Sequence, residues 1–193
     1  MPRENKTKYA VLGLLANRPG SGYDIKKRFE DYVGKFWSES YGQIYPIAKD
    51  LVEEGFATCS TEHTTGRPDR YVFSITEKGL EELKKWLVKS PDPHKERLEV
   101  LLRLMCGAHI SIEENIRLVQ RFKDEWLMHI ASYSEIEKTL KSTFDNEQQL
   151  PYWMMGVSCG MHLGKAYMEW CDETIEKLKN MKEKASDVEE SNE

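Results

Sequence analysis

The sequence predicts a mainly α-helical protein in two parts, and three observations carry that prediction. Apolar residues recur at helical spacing through most of the 193 residues, while one stretch, residues 56–75, switches to extended patterning. The run Ser-Pro-Asp-Pro-His at 90–94 then divides the chain, because its two prolines cannot continue a helix and each disfavours helix in the residue before it. The expected parts are residues 1–90, an all-α domain over residues 91–184, and a flexible acidic tail at 185–193.

Composition alone points away from nucleic acid, since 28 Lys and Arg face 33 Asp and Glu for a net charge of −5. The halves differ, however. Residues 1–90 hold 15 basic against 13 acidic side chains, so the acidity belongs to residues 91–193. No apolar run approaches the ~20 residues of a membrane span, and the polar start MPRENKTK lacks the core of a signal peptide. A cytoplasmic protein is expected, with Cys59, Cys106, Cys159 and Cys171 as reduced thiols.

Taken in order, YAVLGLL at 9–15 is a short apolar helix stopped by Pro19 and Gly20. Ser21 caps a second helix with Asp24 three residues on, and Ile25, Phe29 and Val33 form its buried stripe. A third helix covers 41–54, with Ile44, Ile47, Ala48 and Leu51 facing the core and Gly55 as its stop. Gly42, Gln43, Pro46 and Lys49 take its opposite side, with Tyr45 at the border and Tyr41 nearer the core. Pro46 must lie in the first turn or bend the helix. FATCSTEH and YVFSIT then read as two strands joined by the basic turn TTGRPDR, and Thr76 caps a further helix carrying Leu80, Leu83, Trp86 and Leu87.

Three helices and a hairpin describe a winged helix-turn-helix with a two-stranded β-wing. In that arrangement the polar start of the third helix, with Ser40, Tyr41, Gln43, Tyr45 and Lys49, can enter a major groove. The second helix crosses the DNA backbone, which makes Tyr23, Lys26 and Lys27 candidate phosphate contacts. The wing would carry Arg67, held between Gly66 and Pro68, and Arg70 toward phosphate or a minor groove.

The segments YAVLGLL, SGYDI, FWSESYGQIYPIAKDLVEEGF and GRPDRYVFSITEKG, in that order across residues 8–87, strongly resemble the PadR family of bacterial winged-helix transcriptional regulators. Tyr45–Pro46, Gly55, the Gly66–Pro68 tip and Thr76–Gly79 fall in the family's pattern. One departure concerns Ser40–Gln43, where many members have a Ser-x-Gly-Thr-like stretch. The resemblance implies a DNA-binding regulator, and in the longer members a helical C-terminal domain that dimerises.

The second half shows amphipathic stripes of that kind. Residues 95–108 place Leu98, Leu101, Leu102 and Met105 on one face, and Ser111 with Glu114 forms a capping box for a long helix through Leu140. The last helix aligns Trp153, Val157, Met161, Gly164, Met168, Cys171, Ile175 and Leu178 as a candidate homodimer seam. Trp126, Trp153, Tyr167 and Trp170 are candidates for a planar aromatic effector, although aromatic stripes at helical spacing also build cores. The pairs Cys106/His109 and Cys159/His162 have metal-ligand spacing on a helix, yet both sit in apolar segments and read as packing. No phosphate loop, nucleophile elbow or His-Glu-x-x-His pair is present, so neither an enzyme nor a cofactor is expected. The expected function is a dimeric, sequence-specific regulator of transcription, a repressor on a pseudo-palindromic operator under small-molecule control. The alternative is a winged-helix protein-interaction module without DNA.

Overall fold

The computed structural model describes residues 5–34, 36–37, 41–63, 69–93, 97–143 and 148–190, with backbone alone at 41, 143 and 185–190. The chain separates into two compact units, Met1–Pro93 and His94–Glu193.

In the first unit, α1 (Thr7–Asn17) is followed by β1 (Gly20–Ser21) and α2 (Gly22–Arg28), and α2 runs into a π-turn, Phe29–Val33. A 3₁₀ turn, Tyr41–Gln43, leads into α3 (Ile44–Glu53), then β2 (Ala57–Glu62), β3 (Arg70–Ile75) and α4 (Glu77–Leu87). Val11, Leu12 and Leu15 of α1 meet Ile25, Phe29, Ile44, Ala48, Leu51 and Phe73 in a core from which water is excluded. The predicted stripes of the second and third helices are therefore the buried ones. Two elements differ from expectation. The third helix begins as 3₁₀ and becomes α at Ile44, which puts Pro46 third in the helix, where its missing N–H costs no bond. The sheet has three strands in the order β1-β3-β2, since Gly20 pairs with Phe73 and Ser21 with Val72. Two residues are too few to show period-two patterning, so β1 is silent in the sequence.

Short local devices join these pieces. Gly55 takes φ +74, and the N–H groups of Gly55 and Phe56 donate to the carbonyls of Val52 and Leu51, closing α3 in a Schellman motif. Thr76 is the next joint. Its hydroxyl accepts from Gly79 N–H at 3.0 Å and donates to the Gly55 carbonyl at 2.8 Å, while its N–H donates to Phe56 at 3.0 Å. A Cβ at Gly79 would stand 2.0 Å from that Phe56 carbonyl oxygen, so the α4 start lies directly on the β2 root. Trp86 stacks on Tyr9 at 4.6 Å and Leu83 is buried, whereas Leu87 is 63% exposed and Leu80 37%. The stripe expected on this helix is thus only partly covered in one chain, because α1 reaches the Leu83–Trp86 side alone.

The second unit holds α5 (Glu99–Met105), a 3₁₀ turn (Gly107–His109), α6 (Ile112–Thr143) and α7 (Leu150–Glu190). The capping box at Ser111 and Glu114 is formed in both directions. α5 is shorter than expected and buries Val100, leaving Leu101, Leu102 and Met105 exposed. α6 and α7 lie antiparallel: Phe122 meets Trp170, Trp126 meets Tyr167, Ile130 faces Gly164 and Tyr133 faces Gly160. Lys123–Asp172 and, at 2.5 Å, Lys182–Glu113 are ion pairs along the same seam.

That seam occupies part of the α7 stripe expected to meet a second copy. Val157 and Cys171 are buried within one chain, and a Cβ at Gly164 would meet Ile130 at 2.6 Å, so α6 already covers this face. Trp153, Met161, Met168, Ile175 and Leu178 are half-buried beside it. The helix also continues to Glu190, six residues into the segment expected to be a tail. Ala185–Glu190 contains no glycine or proline to end it.

Two substitutions test the α4 joint by chemical denaturation. Thr76→Ala removes a cap and should cost about 1 kcal/mol. Gly79→Ala should cost more, about 1–3 kcal/mol, because backbone rather than a movable side chain blocks the added methyl. Equal stability of Gly79→Ala and the parent would show that the β2 root gives way freely.

Candidate nucleic-acid interface

The exposed side of the first unit is assembled on α2, α3 and the wing. Ser21 ends the extended chain of β1, and its hydroxyl accepts from Asp24 N–H while Asp24 Oδ2 accepts from Ser21 N–H at 2.8 Å. This box fixes the start of α2 and sets Tyr23 outward at 74% exposure. Lys27 is exposed on the same helix, and Lys26 is half-exposed with Glu30 at 3.6 Å. Arg28, the third cation of that run, turns inward. It donates to the carbonyls of Leu14, Arg18 and Pro19, at the open end of α1 and in the loop after it, and to that of Asp24 in its own helix. Burial, then the neighbouring Arg18, lowers its pKa against the pull of Asp24.

On α3, Gln43 is exposed at the helix start with its side chain making no cap bond. Tyr45 is 42% exposed, and the rest of its ring is wedged between two elements. It meets Phe73 of β3 edge-on at 6.0 Å, and a Cβ at Gly22 would come within 2.5 Å of it. Lys49 Nζ sits 4.8 Å over the same ring, a cation–π contact that orders an exposed cation on this side of α3. Ser40 and Arg67 lie outside the described residues, as does the side chain of Tyr41.

Arg70, expected on phosphate, has a different partner. It is the first residue of β3, paired across the ladder with Glu62, and its guanidinium donates to Asp24 Oδ2. Burial pushes the Asp24 carboxyl up, but hydrogen bonds from Ser21 and then Arg70 outweigh it, and the net shift is downward. A carboxyl lowered in the folded state stabilises the fold above the ordinary carboxylate range and loses that contribution as pH falls through its own pKa. At the wing root, His63 Nδ1 lies 2.7 Å from Asp69 Oδ1.

Sequence reasoning missed the Arg28 clamp and the Asp24–Arg70 pair. A signal existed for the first: helix α1 ends in a tight Pro-Gly loop with carbonyls to satisfy, and a nearby arginine is the side chain with most donors. None existed for the second, which joins residues 46 apart.

In the second unit, Trp126, Tyr167 and Trp170 do come together. Trp126 and Tyr167 are 4.7 Å apart, and Phe122 meets Tyr167 and Trp170 edge-to-face at 5.4 and 5.9 Å. His129 adds a ring 5.3 Å from Trp126. Trp153 is not among them, since 14 residues of helix set it about 21 Å from Tyr167. An open groove of about 540 Å³ lies instead beside Glu137, Met154, Met155, Val157 and Met161, with none of the four candidate aromatics in its lining. Cys106 ends α5 and His109 sits in the 3₁₀ turn, so that pair shares no helix face. His162 Nδ1 lies 2.8 Å from the Ser158 carbonyl. Among the described residues no group of three or more His, Cys, Asp or Glu is placed to hold a metal ion, and no helix is long and apolar enough to cross a membrane.

This arrangement matches known proteins over most of its length. Residues 11–85 fit the model of the transcriptional regulator PadR-like family, and residues 96–179 fit that of the virulence activator alpha C-terminal family. The negative transcriptional regulator PadR of Bacillus subtilis is 32% identical over 146 residues, which span 75% of this chain and 79% of that protein. Its crystal structure in complex with operator DNA has a TM-score of 0.79 at 26% identity, covering 91% of this chain and 99% of that one. Its complex with p-coumaric acid shares the fold with a TM-score of 0.73 at 24% identity over 93% and 99% of the two chains. The virulence activator AphA of Vibrio cholerae has a TM-score of 0.71 at 26% identity, covering 90% and 98%. A winged helix-turn-helix followed by a helical second unit, with family matches over both, makes this chain a member of the PadR-like family of transcriptional regulators.

Proposed function

We propose that this regulator is a cytoplasmic homodimeric repressor that binds a pseudo-palindromic operator in double-stranded DNA and releases it when a planar aromatic effector binds. The observation that carries the reading is the display of Gln43, Tyr45 and Lys49 along the exposed side of α3, with Tyr23, Lys26 and Lys27 exposed on α2. α3 would lie in the major groove, with Gln43 and the Ser40–Tyr41 turn on base edges. α2 would cross the phosphates, and Arg67 would reach them from the wing. A relative of the same architecture has been solved on operator DNA, which supports this docking.

Dimerisation is supported by what one chain leaves uncovered. Leu102, Met105, Met128, Tyr152, Met155 and Leu163 are all more than half exposed or at half exposure on α5, α6 and α7. These residues, with the half-buried Trp153 and Met168, are better placed for a second copy than the buried Val157 and Cys171. Two reading heads about one helical turn apart, ~34–36 Å, would bind two half-sites. The effector reading rests on the Trp126–Tyr167–Trp170 cluster and on the p-coumaric acid complex of the Bacillus protein. A ligand stacking there would part α6 from α7 and alter the spacing of the heads.

Fragment binding measured against salt tests the DNA reading. Affinity for the promoter upstream of the protein's own gene should fall steeply with salt, and Arg67→Ala should weaken specific and random duplexes alike, with the slope reduced by about 0.9. Gln43→Ala should instead change sequence preference, with about 1–3 kcal/mol lost at a preferred base. A flat salt response in the parent protein defeats the proposal. For the dimer, Leu163→Glu should give monomers in sedimentation and cost about 10²–10⁴ in operator affinity, the avidity supplied by a linked second head. Trp126→Ala should abolish the quenching of tryptophan fluorescence by planar aromatic acids while leaving operator binding intact. Persistence of effector-driven release in that variant would move the effector site elsewhere.

A further inference from the structure

We infer that Arg70 is a positioning residue, not a phosphate contact: Asp24 straps the wing to the start of α2 and thereby sets the wing's angle to α3. The inference rests on the DNA-binding reading for its effect, although the strap itself is a feature of the free protein.

One oxygen does three jobs. Asp24 Oδ2 accepts from Ser21 N–H, from Ser21 Oγ–H and from the Arg70 guanidinium. The first two bonds close the helix start, and the third brings in the strand that leaves the wing. Arg70 stands two residues before Val72, which pairs with Ser21, so the strap closes one end of the short β1–β3 ladder, just beyond the Ser21–Val72 pair. Beside it, Tyr45 touches Gly22 of α2 and Phe73 of β3. The recognition helix, the backbone-crossing helix and the wing root therefore meet within a few residues, and the Asp24–Arg70 pair is their charged fastening.

Charge accounting separates this role from a phosphate contact. A cation that neutralises a phosphate releases counterions, whereas one already held by a carboxylate adds little to that release. The Arg70 and Asp24 side chains are 51% and 29% exposed, so the pair is open enough to water to come apart when one partner is changed. Loss of Asp24 would leave an unclaimed guanidinium on the DNA-facing side of the wing root. Such a cation strengthens binding to any sequence, and specificity falls as non-specific affinity rises.

Two variants and two measurements decide the matter. Asp24→Asn keeps an oxygen for the Ser21 cap and removes the charge. It should bind random-sequence duplex more tightly, steepen the salt slope by about 0.9, and lower the ratio of promoter to random affinity. Arg70→Gln should lower promoter affinity with its salt slope unchanged. Amide exchange in the free protein supplies a readout independent of DNA: Tyr71, Val72 and Ser21 should exchange faster in both variants than in the parent, with α6 and α7 unchanged. A salt slope reduced by about one contact in Arg70→Gln, on promoter and random duplex alike, would make Arg70 a phosphate ligand and overturn the inference. Unaltered exchange at Val72 in both variants would overturn it too. If the parent protein shows no salt-dependent DNA binding, the regulator reading fails, and exchange alone decides whether the strap exists.

Discussion

Tyr45 has to satisfy two demands with one ring. Part of it fills the space between Gly22 and Phe73, and the remaining 42% stays in water on the side where α3 is open. The arrangement works only because position 22 has no side chain. A methyl there would collide with the ring, and α2 and α3 would separate by the width of that methyl. The spacing of α2, α3 and β3 at this point follows from this contact. It sets how far α3 stands from α2, seats β3 beneath both, and gives Lys49 an aromatic face to rest on. A tyrosine suits the position because its ring packs like phenylalanine and its hydroxyl tolerates water.

The second unit applies the same principle to a longer seam. Gly160 and Gly164 lie one turn apart on α7, and Tyr133 and Ile130 of α6 occupy the room that side chains there would take. Close approach then lets Phe122 meet Tyr167 and Trp170 edge-to-face farther along, with Trp126 tilted against Tyr167. The unit buries its interior by pairing two helices of 32 and 41 residues within one chain, and its outer faces keep the methionines and leucines. Cys171 belongs to that interior. Burial pushes its thiol pKa up, which leaves the sulfur a small apolar side chain with little thiolate.

Much of this was legible in the sequence where the signal is local. Ser21/Asp24, Ser111/Glu114, Thr76 and Gly55 mark helix ends by short-range hydrogen bonds, and each does so in the structure. Periodicity placed Ile25, Phe29, Ile44, Ile47, Ala48 and Leu51 in the core. What periodicity could not assign is the partner of an apolar stripe. The Val157–Cys171 face looks the same in sequence whether it meets α6 or a second chain, and in the structure it meets α6. Leu101, Leu102 and Met105 show the converse, apolar at helical spacing yet exposed because the short α5 turns Val100 inward. The candidate interface followed the same division. Tyr23, Gln43, Tyr45 and Lys49 could be placed by helix phase, whereas the pairing of Arg70 with Asp24 left no local signal because the two lie 46 residues apart.

The clamp at Arg28 bears on how sequences of this shape can drift. Its guanidinium occupies the space above Gly20, where a Cβ would come within 2.0 Å of Nη2. Glycine at 20 and arginine at 28 are therefore not two independent choices. A chain that loses the arginine exposes the carbonyls of Leu14, Arg18 and Pro19 and at the same moment opens room for a side chain at position 20. Among descendants of this sequence the two positions should change as a pair, and a polar residue newly acquired at 20 would be the natural replacement for the donors lost at 28.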